Sequence, residues 1–366
     1  MDKILKMNSK NFEISVVLAD SFQEETWYES LTENISVIHP ARFSPWGDVL
    51  ETAFHQKHYT FLAFHQGRPV GVLPLVYMKS MIFGKFLIGQ PYLNVGGIFT
   101  PEVCESFSLS QRTEVERLLV EKAVYLADKL DVRYLELRNE HEVFHPALNY
   151  KRENKVLMRL ELPETEEELW KQLSPKVRNQ IRKGERAEHT VMWGGRELVG
   201  DFYEIFAEIM RDVGTPVYPR RLFELILEKM PETSEICVVS DKRKCPVAAA
   251  LLLHGRKLTE VPSAAALHSS HVNCANMFMY WHLLKHSVER GQKIFDFGRS
   301  NEGSNTWRFK KQWGTQAHPS VWQYYVRRGG MDDVRPEGYG LAIRVWKKLP
   351  VWLTKMIGPF IVRGIP

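Results

Sequence analysis

Two short stretches near the end of the chain, FDFGRS at residues 295–300 and FKKQWG at residues 309–314, decide the fold. The first stretch alternates aromatic with polar side chains, which is typical of a buried strand, and it contains a glycine that lets the backbone turn. A polar loop then leads to Phe309, Lys310 and Trp313. A lysine beside two aromatic residues at a strand end could stabilise a developing negative charge. A strand followed by a loop with a solvated lysine accounts for the same residues.

The predicted elements along the chain occur twice in one order: strand, two helices, hairpin, helix, strand. In the first copy an amphipathic helix is predicted over residues 20–34 and a hairpin turns at Gly67, and in the second copy a hairpin turns at Gly255. A long helix over residues 273–290 closes on Gly291, a residue type that favours a helix end. The recurrence predicts an α/β protein with mixed sheets, built from two units without obvious residue identity.

Length and composition agree with two globular domains. The chain has 366 residues, of which 44% are hydrophobic and 25% are charged. A net charge of +5 suits an anionic partner such as tRNA, a phosphorylated lipid or a nucleotide sugar, without requiring one. The four cysteines form no C-x-x-C pair, so we expect neither a disulfide framework nor a metal site.

The chain contains no recognisable signal peptide and no apolar run of about 18 residues, so the expected location is cytoplasmic. Residues 331–366 differ from the rest, because basic and large apolar side chains alternate there. This pattern is typical of a helix lying at the inner surface of the cytoplasmic membrane. A helix packed against its own domain is the alternative.

FDFGRS, FKKQWG and the basic helix SPKVRNQIRKGERAE at residues 174–188 together resemble the FemAB family of acyl- and aminoacyl-transferases. The resemblance is strongest to the branch found beside exosortase and exopolysaccharide systems in Gram-negative bacteria, and it covers about residues 40–330. It implies two tandem GNAT-like domains, residues 1–154 and 155–330, followed by the basic amphipathic segment 331–366.

The resemblance also assigns catalytic roles. In the family, a Phe-Lys pair at this position stabilises the oxyanion of the tetrahedral intermediate, through a backbone N–H and the ammonium. The matching residues are Phe309 and Lys310. Asp296 and Arg299 at the strand end could orient the lysine or bind the donor, with Trp313 beside them.

Further substrate-binding residues are expected in three places. Arg178 and Arg182 are four residues apart on one helix, so both could grip a phosphate, although a solvated face is the simpler explanation. In the family, the loop around residues 210–221 and the Pro-aromatic-x-x-x-Gly-Gly stretch lie on the acceptor side. The matching candidates for acceptor binding are Arg211 and Tyr218 in the loop, and Tyr92 and Asn94 in the glycine stretch.

The resemblance implies an acyltransferase with no tightly bound cofactor, whose acyl donor is a co-substrate, either aminoacyl-tRNA or acyl-CoA. A phosphorylated, nucleotide-linked or lipid-linked sugar is the expected acceptor. Two alternatives remain open: an acyl-CoA-dependent N-acyltransferase acting on an amino sugar, and a non-catalytic scaffold of an envelope system. The Gln/Arg-x-x-Gly-x-Gly/Ala loop of ordinary GNAT enzymes has no good copy here.

Overall fold

A computed structural model describes residues 14–19, 31–33, 35–42, 45–102, 107–330 and 340–365. The helix predicted over residues 20–34 lies almost entirely outside these ranges. The chain divides into two compact units. One comprises residues 1–155 and 319–334, and the other comprises residues 156–318 and 335–365.

The strands of the described residues form two sheets. They are β1 (Ile14–Leu18), β2 (Lys57–His65), β3 (Arg68–Ser80), β4 (Gly84–Ile88), β5 (Tyr134–Asn139), β6 (Tyr150–Arg152), β7 (Lys155–Glu161), β8 (Thr190–Gly194), β9 (Ser234–Ser240), β10 (Pro246–His254), β11 (Leu258–Ala266), β12 (Ile294–Asn301), β13 (Gln316–Pro319) and β14 (Val321–Val326). The first sheet has the order β1-β2-β3-β4-β5-β14-β6, and the second has the order β13-β7-β12-β11-β10-β9-β8.

The α-helices of the described residues are mostly short. They are α1 (Pro45–Phe54), α2 (Leu109–Lys129), α3 (Glu166–Gln172), α4 (Pro175–Arg186), α5 (Val199–Val213), α6 (Arg220–Lys229), α7 (Ala275–Glu289), α8 (Asn305–Lys311), α9 (Gly340–Trp346) and α10 (Val351–Val362). Both sheets contain an antiparallel three-stranded meander, followed by one helix and a parallel strand. The predicted fold class, a mixed α/β fold with two tandem GNAT-like units, is therefore confirmed.

In the first unit, the core lies between the sheet and α2. The parallel ladder of β4 and β5 ends where Ile88 is paired with Glu136. Beyond this pair, the loop of residues 89–97 lies along β5, because the N–H groups of Gly96 and Gly97 donate to the Arg138 carbonyl at 3.1 and 3.0 Å. The backbone of this loop thus extends the hydrogen bonding of the sheet along β5.

Glycine makes this close approach possible. A Cβ atom on Gly89 would lie 2.1 Å from the Gly96 carbonyl oxygen, and one on Gly97 would lie 1.8 Å from Oδ1 of Asn139. Such separations are far below van der Waals contact, so a larger residue would force the backbone apart. The adjacent glycines Gly96 and Gly97 therefore admit another part of the same chain.

In the second unit, helices cover both faces of the sheet. Helices α3, α4 and α7 enclose the main apolar cluster on one face, and α5 packs against β9, β10 and β11. Gly184 of α4 lets this helix approach α7 closely, since a Cβ atom there would be 2.7 Å from Cβ of Phe278. The alternation along each strand then decides which polar side chains face away from the main cluster.

The structure divides the chain differently from the predicted boundary at residue 330. Strand β14 pairs with β5 and β6 in the first sheet, with Val321 opposite Asn139. Residues 340–365, the described part of the segment 331–366 that was expected to be separate, belong to the second unit. The place of β14 in the first sheet depends on long-range strand pairing, which leaves no local signal in the sequence.

Candidate active site

The site is built on β12, where a carboxylate occupies a fully buried position between two core aromatics. Phe295 and Phe297 belong to the main apolar cluster, so Asp296 between them faces the opposite side of the sheet. Its side chain is 0% exposed. Oδ1 accepts a hydrogen bond from the Gly298 N–H at 2.7 Å, and Oδ2 accepts one from Nε of Arg159 at 2.8 Å. Asp296 therefore holds the backbone of the strand end in place.

A second buried carboxylate stands beside Asp296. The parallel ladder of β11 and β12 runs over three pairs and ends with Glu260 opposite Asp296, and both side chains are 0% exposed. In-register residues of neighbouring parallel strands point to the same face. Since buried carboxylates need cationic or hydrogen-bonding partners, this pair explains why the half-buried Arg159 lies against Asp296.

After this pair the two strands separate. Strand β11 continues to pair with β10 as far as Ala266, while β12 turns at Gly298, whose φ is +77°. That left-handed conformation is accessible to glycine without strain. Beyond Glu260 and Asp296 the described residues of β11 and β12 share no further ladder pairs, and we call this interruption of the sheet the gap. Strand edges offer N–H and C=O groups to a ligand.

Lys310 binds the backbone of β12 at this gap. Its side chain is 6% exposed, and Nζ donates hydrogen bonds to the carbonyl oxygens of Gly298 at 3.0 Å and Arg299 at 3.2 Å. Lys310 lies on α8, whose first turn is capped by Ser304, because Oγ of Ser304 accepts from the Trp307 N–H at 3.1 Å. The structure thus places the Lys310 ammonium on the backbone of Gly298 and Arg299, beside the Gly298 N–H that Asp296 binds; the roles of these residues in a reaction stay predictions.

Phe309 and Trp313, the aromatic neighbours of Lys310 in the sequence, pack α8 against the core and do not position the lysine side chain. Trp313 is 2% exposed within the main cluster, and the ring of Phe309 meets that of Tyr280 edge-on with centroids 5.0 Å apart. The N–H of Phe309 lies inside α8, where helical geometry directs it to the carbonyl four residues earlier. In this conformation its N–H is used by the helix, and stabilisation of an oxyanion by Phe309 and Lys310 stays a prediction.

Ser300 adds a polar group to the strand end. It is 4% exposed, and its Oγ has no hydrogen-bond partner within the described part of the chain. A buried hydroxyl without a partner costs free energy unless a ligand or water satisfies it. The hydroxyl is therefore available to a bound substrate.

Arg178 and Arg182 of α4 contact residues other than Asp296 and Lys310. Arg178 is half-buried and Arg182 is exposed, with its guanidinium 5.4 Å from the ring centroid of Trp170. Among the described residues, neither guanidinium hydrogen-bonds to Asp296 or Lys310. A phosphate-binding role for the two arginines stays a prediction.

Arg211 and Tyr218 pack within the second unit. Nη1 of Arg211 donates to the Leu349 carbonyl at 3.1 Å, and Nε bonds to Asp212. The Tyr218 carbonyl accepts from the Tyr203 hydroxyl at 2.9 Å, and its ring lies against Phe206. The loop expected to hold an acceptor therefore supports the C-terminal helices, and acceptor binding there stays a prediction.

Tyr92 and Asn94 lie in the glycine-rich loop of the first unit. The Tyr92 hydroxyl accepts a hydrogen bond from Nε2 of Gln56 at 3.1 Å, and its ring is 5.1 Å from that of Phe54. Both Tyr92 and Asn94 are half-buried. Substrate contact at these two residues stays a prediction.

Sequence reasoning missed a partly buried cluster of one carboxylate and two histidines on β9, β10 and α7. Oε1 of Glu235 accepts hydrogen bonds from Nε2 of His254 at 2.6 Å and of His286 at 2.8 Å. Burial alone would raise the pKa of Glu235, but these hydrogen bonds outweigh it and lower the pKa to about 2. The cluster joins two strands and a helix. Its signal in the sequence is weak, since its members are far apart along the chain.

Glu260 and Arg159 were also missed, although each leaves a trace in the sequence. Each is a charged residue in the interior of a mainly apolar strand, in LTEVPSAAA and KVLMRLE respectively. A charge in such a strand is costly to bury without a partner, which is the signal that could have identified both residues.

The described residues hold no group of three or more His, Cys, Asp or Glu side chains that could bind a metal ion. Within the same residues, every helix is too short or too polar to cross a bilayer.

The comparisons with known proteins place the site within a recognised domain. Residues 172–311 match the family model described as an acetyltransferase (GNAT) domain, a stretch that contains both Asp296 and Lys310. This is less than half of the chain. Comparison with the curated protein sequences gives no match.

Three solved structures share the fold. FemX is 13% identical, with 90% of this chain and 100% of that chain covered and a TM-score of 0.62. L-PGS from Bacillus licheniformis is 11% identical, with 90% and 98% covered and a TM-score of 0.53. The C-terminal domain of a putative lysylphosphatidylglycerol synthetase from Agrobacterium fabrum is 11% identical, with 85% and 93% covered and a TM-score of 0.52. At such low identity the likeness is one of fold.

Proposed function

We propose that this protein is an acyltransferase that moves an acyl or aminoacyl group from a carrier to an amine of a cell-envelope or exopolysaccharide precursor. The observation that carries the proposal is the gap between β11 and β12, with the ammonium of Lys310 fixed beside it. The acetyltransferase match over residues 172–311 and the fold shared with FemX and L-PGS support it.

In the proposed reaction, the donor lies in the gap with its carbonyl near Lys310. The acceptor amine attacks the carbonyl carbon, and the carbonyl oxygen gains negative charge. As the carbonyl reforms, the bond to the carrier breaks, and the carrier hydroxyl or thiol leaves with the proton that the amine nitrogen gives up. Lys310 stabilises the oxyanion electrostatically, and its burial strengthens this effect because little water screens the charge. Asp296 acts as a positioning residue, since it holds the Gly298 N–H and thereby shapes the turn whose carbonyl binds Lys310.

The envelope acceptor is inferred from the names of the fold relatives and from the resemblance of the motifs. One relative is named as a putative lysylphosphatidylglycerol synthetase, a protein whose named product is a lipid carrying an amino acid. The proposal extends this class of reaction, transfer of an acyl group to an envelope molecule, to the present chain.

An acyl-CoA-dependent N-acyltransferase acting on an amino sugar is the second candidate, because the matching family is that of an acetyltransferase. Helix α7 follows β11 and begins without a side-chain cap, and helix N-termini favour anions such as a pyrophosphate. The absence of a glycine-rich loop in HSSHVN before this helix favours the first candidate.

Thermal unfolding in the presence of each donor class separates the candidates. A ligand at 100 times its dissociation constant adds about 2.7 kcal/mol to the free energy of unfolding. Stabilisation by a non-hydrolysable aminoacyl-tRNA analogue supports aminoacyl transfer, and stabilisation by acetyl-CoA or a longer acyl-CoA supports the second candidate. If neither donor class raises the unfolding temperature, acyl transfer is contradicted and a scaffold role gains support.

A further inference from the structure

The C-terminal helices bury one face against the second unit. On α10, the inward positions are Thr354, Gly358 and Val362, spaced four residues apart, and Thr354 and Val362 are 1% and 5% exposed. Gly358 fits closely, since a Cβ atom there would lie 3.0 Å from the backbone nitrogen of Val217. Lys355 fixes the same helix to α5 through Glu204, with Nζ–Oε distances of 2.7 and 2.8 Å. One face of α10 is therefore fully used in packing.

The opposite face of α10 is apolar and exposed. Trp352, Met356 and Phe360 are 64%, 56% and 68% exposed, and their spacing of four residues aligns them in one stripe. Helix α9 repeats the pattern with Leu341 and Val345, which are 71% and 52% exposed. A surface helix normally places charged residues on its outward face, so these two stripes require a covering partner.

The charged side chains of residues 340–365 are all basic. Arg344, Lys347, Lys348 and Arg363 are exposed, and residues 340–365 contain no acidic side chain. The guanidinium of Arg363 lies 5.7 Å from the ring centroid of Phe360, so charge and apolar surface adjoin. Exposed aromatic and aliphatic side chains surrounded by cations match the boundary between headgroups and acyl chains of an anionic bilayer.

Charge also decides against a second copy of this chain as the partner. Pairing the stripes of two copies would bring four exposed cations of each copy together, with no acidic side chain in residues 340–365 to compensate. An anionic lipid surface supplies that compensation. Tryptophan, moreover, is enriched at membrane interfaces, where its ring spans the polar and apolar layers.

We propose that the exposed stripes of α9 (Leu341 and Val345) and α10 (Trp352, Met356 and Phe360) bind the surface of an anionic membrane. The helices lie flat on the lipid with their basic side chains at the headgroups, and they remain packed on the second unit. This proposal does not depend on the reaction that the protein catalyses.

Flotation with vesicles tests the proposal. The full chain is mixed with vesicles of equal parts phosphatidylglycerol and phosphatidylcholine, or with vesicles of phosphatidylcholine alone. We expect binding to the anionic vesicles, at least about a tenfold loss of affinity in the double variant Trp352→Ser/Phe360→Ser, and loss of the anionic preference in Lys347→Glu/Lys348→Glu.

A matched control removes exposed apolar side chains elsewhere. Leu109→Ser/Phe144→Ser alters side chains that are 66% and 77% exposed in the first unit, and it should bind vesicles like the wild type. All substituted residues are exposed, so thermal unfolding should be little changed in each variant. The proposal fails if the wild type does not float with anionic vesicles, or if Trp352→Ser/Phe360→Ser binds as well as the wild type. It also fails if the wild type is a dimer in solution and this variant is a monomer.

Discussion

The two units carry the same parallel strand pair and differ in how the chain continues beyond it. In the first unit, the β4–β5 ladder ends at Glu136, and the chain folds back so that Gly96 and Gly97 bond to β5. In the second unit, the β11–β12 ladder ends at Asp296, and β11 continues along β10 while β12 turns away. One gap is filled by the protein itself, and the other has a buried lysine at its edge.

The difference arises from a few residues. In the first unit, glycines at positions 89, 96 and 97 permit two backbone segments to touch. In the second unit, the strand LTEVPSAAA contains no glycine and stays extended. A single fold thus provides a closed, structural copy and an open copy suited to a ligand, so we expect chemistry in the second unit and stability from the first.

The largest expected effect is the loss of transfer rate when Lys310 of the second unit is substituted. Lys310→Ala removes the buried ammonium and should lower the transfer rate about 10²–10³-fold, the usual cost of losing one oxyanion donor. The measurement is single-turnover transfer from whichever donor stabilises the protein. The control is Lys311→Ala on the same helix, because Lys311 is exposed and its Nζ lies over the ring of Trp307.

If Lys310→Ala retains wild-type transfer while remaining folded by circular dichroism, the lysine serves only to hold β12. The expectation that the second unit carries the chemistry would then be contradicted, although the structural difference between the two units would remain.

In the first unit, a side chain added at the close contact between glycines should lower the free energy of unfolding. Gly89→Ala places a Cβ atom 2.1 Å from the Gly96 carbonyl oxygen, a backbone atom that cannot move alone, and should lower the free energy of unfolding by about 1–3 kcal/mol. Gly200→Ala is the control, since no atom lies within 4 Å of the added methyl group. Equal unfolding midpoints in denaturant for the two variants would show that the loop does not pack as described.

The stability of the second unit should fall at acidic pH because His282 is buried in its neutral form. Burial, and less strongly the charge of Lys285, lowers the pKa of this side chain from 6.5 to about 4. The unfolded chain therefore binds a proton that the native state excludes, so stability present above about pH 6.5 is lost as the pH falls towards 4.

We expect His282→Gln to reduce this loss by about 1–2 kcal/mol, after allowance for partial exposure of the ring. Thermal unfolding at pH 7 and at pH 4.5 measures it. The exposed His271 provides the control, because His271→Gln should keep the wild-type dependence on pH. An identical dependence in His282→Gln would contradict the assigned burial.

The smallest effect concerns the attachment of α10. Lys355→Ala removes the ion pair with Glu204, whose side chain is 65% exposed, and should cost less than about 1 kcal/mol of unfolding free energy. Chemical denaturation measures it, and Lys348→Ala serves as the control. A loss of several kcal/mol would mean that the C-terminal helices are held chiefly by this pair rather than by packing around Gly358.

Much of this architecture could be predicted from local signals. Alternating strands and glycine turns identified both hairpins, and the strand of FDFGRS was placed correctly as β12. Strand β14 could not be assigned to the first sheet, because its pairing with β5 joins residues far apart in sequence. Nor could the sequence reveal that the ammonium of Lys310 would meet the Gly298 carbonyl, since this contact depends on the positive φ of Gly298 and on the packing of α8.

The most direct test of the central claim is amide hydrogen exchange with and without a saturating acyl donor, chosen by thermal stabilisation. If the open gap binds the donor, protection should increase in residues 261–266 and 297–301, while residues 89–97 stay unchanged. Donor-dependent protection of residues 89–97 with none along β11 and β12 would contradict the assignment of the open copy as the donor site.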